Sequence, residues 1–169
     1  MVAGLRRGEV CGLRWSSVDL DAATIAITET RIMVHGRPMT SRPTTARGAR
    51  VLPLPADLVD ALHRMCARRV EERRAAGAAY VDSGYVVTDE LGQPLSPEVY
   101  SDRFARLARA AEVPLIRLHD ARHTSVTLER AAGWPDAVTA AWHGHDEPVL
   151  RRVYTHVTTE DMRKHARGL

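Results

Sequence analysis

Strand-like alternation is confined to one part of this chain, and that confinement limits the fold more than any other feature. Residues 24–28 alternate in the way that a half-buried strand does. The turn signal at 35–38 predicts a second strand near 39–42, and residues 50–54 indicate a third strand at the sheet edge. We therefore predict a small three-stranded antiparallel sheet that ends before Pro55.

The rest of the chain carries helical patterns. Ser96 and Pro97 form a helix start, because serine caps the first turn and proline fits its first position. The predicted helices cover residues 5–13, 55–76, 96–111 and 118–132, a segment from 135 toward Trp142, a segment at 147–157 and a terminal helix. The fold class is therefore α+β and mostly α, in one domain of 169 residues.

Composition excludes several classes of protein. With 44% hydrophobic and 27% charged residues, the chain is typical of a globular protein, and it has neither an apolar stretch of membrane-spanning length nor a signal-peptide pattern. Cys11 and Cys66 are too few for a disulfide framework, which favours a cytoplasmic protein. The net charge is +3 and the basic residues are mostly arginine, which favours a phosphate-bearing partner.

Five polar side chains suggest a specific chemistry. His119 and Arg122 are three residues apart and fall on one helix face, while Arg6 lies near the start of the chain. His145 follows Gly144, and Tyr154 comes nine residues later. Two arginines can hold phosphate oxygens, a histidine can relay a proton and a tyrosine can act as nucleophile. This set predicts attack on a phosphodiester by a phenol.

The order and spacing of these residues resemble the catalytic domain of tyrosine recombinases, the phage integrase family. The matching motifs are Gly4-x-Arg6-x-x-Glu9, His119-x-x-Arg122-His123, Gly144-His145 and Tyr154-x-His156. Ala121 and His143 stand where the family has leucine. The resemblance implies that Arg6, His119, Arg122 and His145 bind and activate the phosphate. Tyr154 would then form a 3′-phosphotyrosyl link.

The resemblance also implies supporting roles and one departure. Glu9 would brace Arg6 or cap its helix, and His123 and His156 would support the catalytic residues. Arg42 and Arg47 would contact DNA. The family lysine falls at Thr44, and Lys164 is the only lysine of the chain. Because arginine, with a pKa above about 12, is a poor acid, the proton for the leaving oxygen has no evident donor.

The implied domain is a catalytic domain over residues 1–169, without the N-terminal DNA-binding domain and the first helices of the catalytic domain. Its expected partners are double-stranded DNA and other recombinase protomers. A homodimer could cover apolar surface near Leu5 and Leu13. We expect no cofactor, no metal and no membrane association, since the histidines lack the spacing of a zinc site.

Two other functions remain open from sequence. The first is a truncated, catalytically impaired remnant of an integrase that binds DNA without cutting it, which Thr44 favours. The second is a type IB topoisomerase, which shares the phosphotyrosine chemistry. The residues around 4–20 favour an integrase over a topoisomerase.

Overall fold

The computed structural model describes residues 4–43, 48–144 and 162–163. The helices in chain order are α1 Arg7–Gly12, α2 Ala56–Ala76, α3 Pro97–Ala110, α4 Leu118–Ala131 and α5 Asp136–His143, with short 3₁₀ turns at Trp15–Ser17 and Gly77–Ala79. The strands are β1 Val18–Asp19, β2 Thr24–Ile27, β3 Thr30–Val34, β4 Arg37–Ser41 and β5 Arg50–Pro53. The fold is α+β and mostly helical, as the sequence predicts.

A three-stranded antiparallel sheet has the order β1-β2-β5. Ile25 on β2 pairs with Leu52 on β5, and both side chains are buried. Alternation on β2 places Ile25 and Ile27 toward the core while Thr24 and Ala26 remain partly exposed. The predicted strand at 50–54 is present as β5, and among the described strands it pairs with β2 alone.

The membership of the sheet corrects the sequence prediction. The strand expected near 39–42 is β4, which pairs with β3 in a separate two-stranded hairpin and does not join the sheet. Every residue of β4 is exposed. Strand β3 was not predicted, because its buried residue is the charged Arg31 and not an apolar one. The Arg31 side chain donates a hydrogen bond to the Leu95 carbonyl at 2.9 Å. A short two-stranded ribbon of this kind depends on such tertiary contacts.

The hydrophobic core lies between the sheet and the helices. Trp134 and Trp142 meet edge to face with ring centroids 5.4 Å apart. The buried core residues are Leu13, Ile25, Ile27, Leu52, Leu54, Leu62, Val86, Trp134, Val138, Trp142 and Met162. This core fixes α5 against the sheet, so the end of α5 has a defined position relative to β5.

Local sequence signals explain where the helices start and stop. The Ser96 hydroxyl accepts a hydrogen bond from the Val99 amide at 3.3 Å, and Pro97 opens α3, as the sequence predicts. Helix α1 is shorter than the predicted helix over 5–13, because Arg6 and Leu13 have extended backbones at its two ends. None of the helices in the described ranges is both long and apolar enough to cross a membrane.

Candidate active site

Arg6 and Glu9 are joined at the first turn of α1. The Arg6 amide donates to Glu9 Oε2 at 2.9 Å, and Arg6 Nη1 donates to Glu9 Oε1 at 2.8 Å. The Arg6 side chain nevertheless remains 45% exposed, whereas that of Glu9 is only 4% exposed. The carboxylate therefore orients a guanidinium that still faces solvent.

Arg50, at the start of β5, holds the other side of the same carboxylate. Its Nη1 and Nη2 each donate to one oxygen of Glu9 at 3.0 Å, a bidentate pair. Burial raises the pKa of Glu9, but the hydrogen bonds and charge of Arg50, together with the bonds from Arg6, bring it below the ordinary value. Glu9 is thus ionised at neutral pH and is shared by two arginines.

Among the described residues, the guanidinium of Arg122 is bound by carbonyls and not by a carboxylate. The side chain is buried, its Nη1 donates to the Gly4 carbonyl at 2.7 Å, and its Nη2 donates to the His143 carbonyl. Burial, followed by the positive charge of Arg6, lowers the pKa of Arg122 to about 10. Arg122 therefore stays cationic at neutral pH, with backbone dipoles as its direct partners.

Arg6, His119 and Arg122 line one pocket, although Arg6 is more than 110 residues from the other two. The pocket has a volume of about 740 Å³. Its other lining residues are Arg7, Gly8, Ser101, Asp102, Phe104, Ala105, Leu115, Ile116, Arg117 and Leu118. Four arginines against one aspartate make this a basic pocket that suits an anion.

His119 and His123 have different positions relative to this pocket. Their rings meet edge to face with centroids 4.5 Å apart, and both side chains are exposed. His119 lines the pocket, while His123 contacts His119 from outside it. This places His123 where it can restrict the orientation of the His119 ring.

Several predicted site residues cannot be placed. His145, Tyr154, His156, Arg47 and Thr44 lie outside the described residues. Arg42 is exposed just after β4 and is not among the residues that line the basic pocket in the described part of the chain. Within those same ranges, no group of three or more His, Cys, Asp or Glu side chains could hold a metal ion.

Sequence reasoning missed Arg50, Glu129 and Ser125. Arg50 was predicted only as a strand residue, yet its side chain is 6% exposed and joins β5 to α1. Its signal was an arginine that opens an otherwise apolar strand. Glu129 and Ser125 are buried and hydrogen-bonded to each other. The available signal was spacing on one helix face, since Glu129 lies seven residues after Arg122 and four after Ser125.

Comparison with known proteins identifies the class. The sequence model of the Phage integrase family matches residues 1–161. The chain therefore belongs to the phage integrase family, and the family predicted from the sequence is confirmed.

Individual relatives agree with this assignment. A "Tyrosine recombinase XerC-like" protein of Caldanaerobacter subterraneus subsp. tengcongensis is 29% identical over 167 residues, which cover 91% of this chain and 43% of that protein. An "Integrase" of Saccharopolyspora erythraea is 32% identical over 110 residues, covering 65% of this chain and 25% of that protein. The chain thus spans less than half the length of these relatives.

Solved structures share the fold. The Tn1549 transposon integrase in complex with transposon right end DNA superimposes with a TM-score of 0.72 at 22% identity, over 96% of this chain and 54% of the integrase chain. XerA recombinase gives a TM-score of 0.66 at 20% identity, over 96% of this chain and 51% of the other. These likenesses confirm the mostly helical α+β fold.

Proposed function

We propose that this chain is the catalytic domain of a site-specific DNA recombinase that cuts and rejoins strands through a 3′-phosphotyrosyl intermediate. The observation that carries the proposal is the convergence of Arg6, His119 and Arg122 on one basic pocket, in a member of the phage integrase family. Arg6 is more than 110 residues from the other two, so closeness in the sequence does not account for its meeting with them.

The pocket suits a phosphodiester for electrostatic reasons. Arg6 offers an exposed guanidinium, and Arg122 adds a second positive charge from the buried side. A phosphate that is attacked gains negative charge on its equatorial oxygens, and guanidinium groups that are already oriented stabilise that charge without reorganising. Glu9 and the backbone carbonyls supply the orientation.

Tyr154 is the proposed nucleophile. Its phenol oxygen would attack phosphorus, the bond from phosphorus to the 5′ oxygen would break, and the 5′ oxygen would take a proton to leave as a hydroxyl. His119 is the proposed proton acceptor for the phenol, and His145 a further ligand of the phosphate. The phosphotyrosyl link conserves the energy of the phosphodiester bond that was broken, so rejoining reverses the step without ATP.

The proposed partners are double-stranded DNA and other recombinase protomers. The Tn1549 integrase structures contain transposon DNA, which supports DNA as the substrate class of this related chain. Arg42 and Arg47 are proposed to contact the DNA backbone, and the cytoplasm is the proposed compartment. A homodimer is one assembly that this proposal allows.

The activity of this chain depends on how it replaces the family lysine. Thr44 cannot protonate a leaving oxygen as lysine can, and general acid catalysis is commonly worth about 100- to 10,000-fold in rate. We propose that cleavage is slow for this reason. The competing function is that of a remnant that binds DNA without cutting it. The same basic pocket supports that function, because it too requires binding of a phosphate.

Two nicked DNA substrates test the proposal. One is an ordinary duplex, and the other carries a 5′-bridging sulfur, whose departure needs no acid. We expect slow formation of a covalent protein–DNA adduct on the first, faster formation on the second, and none with Tyr154→Phe. An adduct that persists in Tyr154→Phe shows a different nucleophile, and no adduct on either substrate favours the remnant. Supercoil relaxation without any recombination site would instead favour a topoisomerase.

A further inference from the structure

The last turn of α5 receives three arginines from three parts of the fold. Arg50 Nε donates to the Trp142 carbonyl at 2.7 Å, Arg122 Nη2 donates to the His143 carbonyl, and Arg6 Nη2 donates to the Gly144 carbonyl at 3.0 Å. The final carbonyls of a helix lack partners within the helix and carry its negative partial charge. The position of these carbonyls therefore sets the position of the guanidinium groups.

A buried acid–histidine pair fixes this turn from the other side. His143 Nε2 lies 3.0 and 2.9 Å from the two carboxylate oxygens of Glu129, and the two side chains are 0% and 1% exposed. The Ser125 hydroxyl donates to Glu129 Oε1 at 2.9 Å. Arg122, Ser125 and Glu129 are spaced by three and four residues, so they share one face of α4.

His143 is consequently held at two points by one helix. Its ring binds Glu129, and its carbonyl accepts a hydrogen bond from Arg122, which lies seven residues earlier on the same face of α4. The same ring lies against Gly4, where an added Cβ would come within 2.3 Å of His143 Cε1. Gly4 in turn supplies the other carbonyl of Arg122. The ring of His143 thus lies against one of the two backbone segments that orient Arg122, and the backbone of His143 is the other.

We propose that the Glu129–His143 pair is a positioning device that holds the α5 carbonyls where they aim Arg122 and Arg6 into the basic pocket. The inference rests on the recombinase function proposed above and adds two residues to it. Neither of them lines the basic pocket, so both act through the arginines. An oriented ring–carboxylate contact fixes the rotation of a helix turn, whereas an apolar contact at that point would leave it freer.

Stability alone does not account for the pair. Taking two ionisable groups out of water is costly, and replacing a buried pair by apolar residues of similar volume is often neutral or stabilising. Leucine is also the residue that stands at the position of His143 in the family that this chain resembles. A double Glu129→Leu, His143→Leu variant is therefore expected to fold, which allows positioning to be separated from stability.

The first readout needs no DNA. Side-chain ¹⁵N NMR of the whole chain should resolve the two Nη groups of Arg122, since both are held by carbonyls, and Arg122→Lys identifies the signals. In the double leucine variant we expect the Nη signals to merge by rotation about the Cζ–Nη bonds. Separate signals in that variant overturn the proposal.

The second readout is the single-turnover rate of adduct formation at saturating nicked DNA with a 5′-bridging sulfur. We expect the double variant to lose at least about 10-fold in rate, because small misplacements of positioning groups are costly, with less than about a 3-fold change in DNA affinity. Glu129→Gln, whose amide oxygen still accepts from the ring, should stay within about 3-fold of the parent. A parental rate in the double variant overturns the proposal.

Thr139→Val provides the matched control on α5. Thr139 is buried four residues before His143, and its hydroxyl has no hydrogen-bond partner among the described residues. In Thr139→Val we expect the Arg122 Nη signals and the rate of adduct formation to match those of the parent chain. If the double variant does not fold, Glu129→Met carries the same two expectations. If the parent chain itself forms no adduct while the NMR expectation is met, the positioning role stands and the recombinase proposal fails.

Discussion

Arg6 and Arg122 line the same pocket, but they differ in burial and in the groups that bind their guanidinium groups. Arg6 is exposed and binds a carboxylate, Glu9, which it shares with the buried Arg50. Arg122 is buried and binds two carbonyls. A carboxylate neutralises a full charge, whereas carbonyls offer only partial charges, so burial depresses the pKa of Arg122 to about 10. The comparison shows that one pocket can combine a cation bound by a carboxylate with a cation bound by carbonyls.

The largest expected effect comes from removing the carboxylate. Glu9→Ala leaves Arg50 buried without its counter-charge, and breaking a buried ion pair in this way costs about 3–5 kcal/mol in the free energy of unfolding. Urea denaturation measures this. The control is Glu72→Gln, which breaks the exposed pair with Arg68 and should cost less than about 1 kcal/mol. Equal losses in both variants would show that the burial of the Glu9 pair has no energetic consequence.

Arg122→Lys tests the contribution of the buried arginine that is bound by carbonyls. Lysine keeps the charge but cannot bind the two carbonyls in the planar fork of a guanidinium. We expect the single-turnover rate of adduct formation to fall about 100- to 1,000-fold, as it does when one preorganised donor to a transition state is lost. Arg7→Lys, which changes a neighbouring arginine bound to Ser101, is the control. A parental rate in Arg122→Lys would mean that the pocket senses only total charge, and comparable losses in both variants would mean that the carbonyl contacts of Arg122 have no special role.

Gly4→Ala should break the contact between the chain start and α5. Its φ is +52°, and an added Cβ would lie 2.3 Å from the His143 ring, so strain and overlap combine to about 2–4 kcal/mol. Gly36→Ala is the matched control, because φ is +73° there but nothing lies within 4 Å. Thermal unfolding of both variants separates the cost of backbone strain, which both share, from the cost of steric overlap, which only Gly4→Ala has. A smaller loss at Gly4 than at Gly36 would contradict the close approach.

The smallest effect is a pH dependence. The folded-state pKa of Glu9 lies below the ordinary value of 4.5, so its stabilising contribution is present above pH 4.5 and is lost as the pH falls through the folded pKa. Glu9→Gln should therefore reduce the slope of unfolding free energy against pH below pH 4.5, measured by urea titration at several pH values. An unchanged slope would show that Glu9 is not selectively stabilised as a carboxylate.

The sequence predicted the helices well because their signals are local. Ser96 and Pro97 mark the start of α3, and the α4 pattern over 118–132 differs from the observed Leu118–Ala131 by one residue. The sheet was predicted less well. A hairpin whose buried residue is Arg31 gives no alternating apolar pattern, so β3 was missed and β4 was assigned to the wrong sheet.

The candidate site divides in the same way. Arg6, His119 and Arg122 follow from motif spacing, and so does a supporting role for Glu9. Arg50, Glu129 and Ser125 do not, because an arginine on a strand or a glutamate on a helix is usually solvated, and only burial reveals the difference. His145, Tyr154, Arg47 and Thr44 remain predictions.

The sequence by itself determined the family, the helix starts and the types of side chain that can bind a phosphate, since motifs and caps depend on neighbours a few residues apart. The tertiary structure decided which partners those side chains have. Arg6, Arg50 and Arg122 meet at the end of α5 although up to 138 residues separate the bonded partners. The packing of the helices decides that Arg50 is bound by a carboxylate and that the described partners of Arg122 are carbonyls. Desolvation and dipole orientation are properties of the assembled fold.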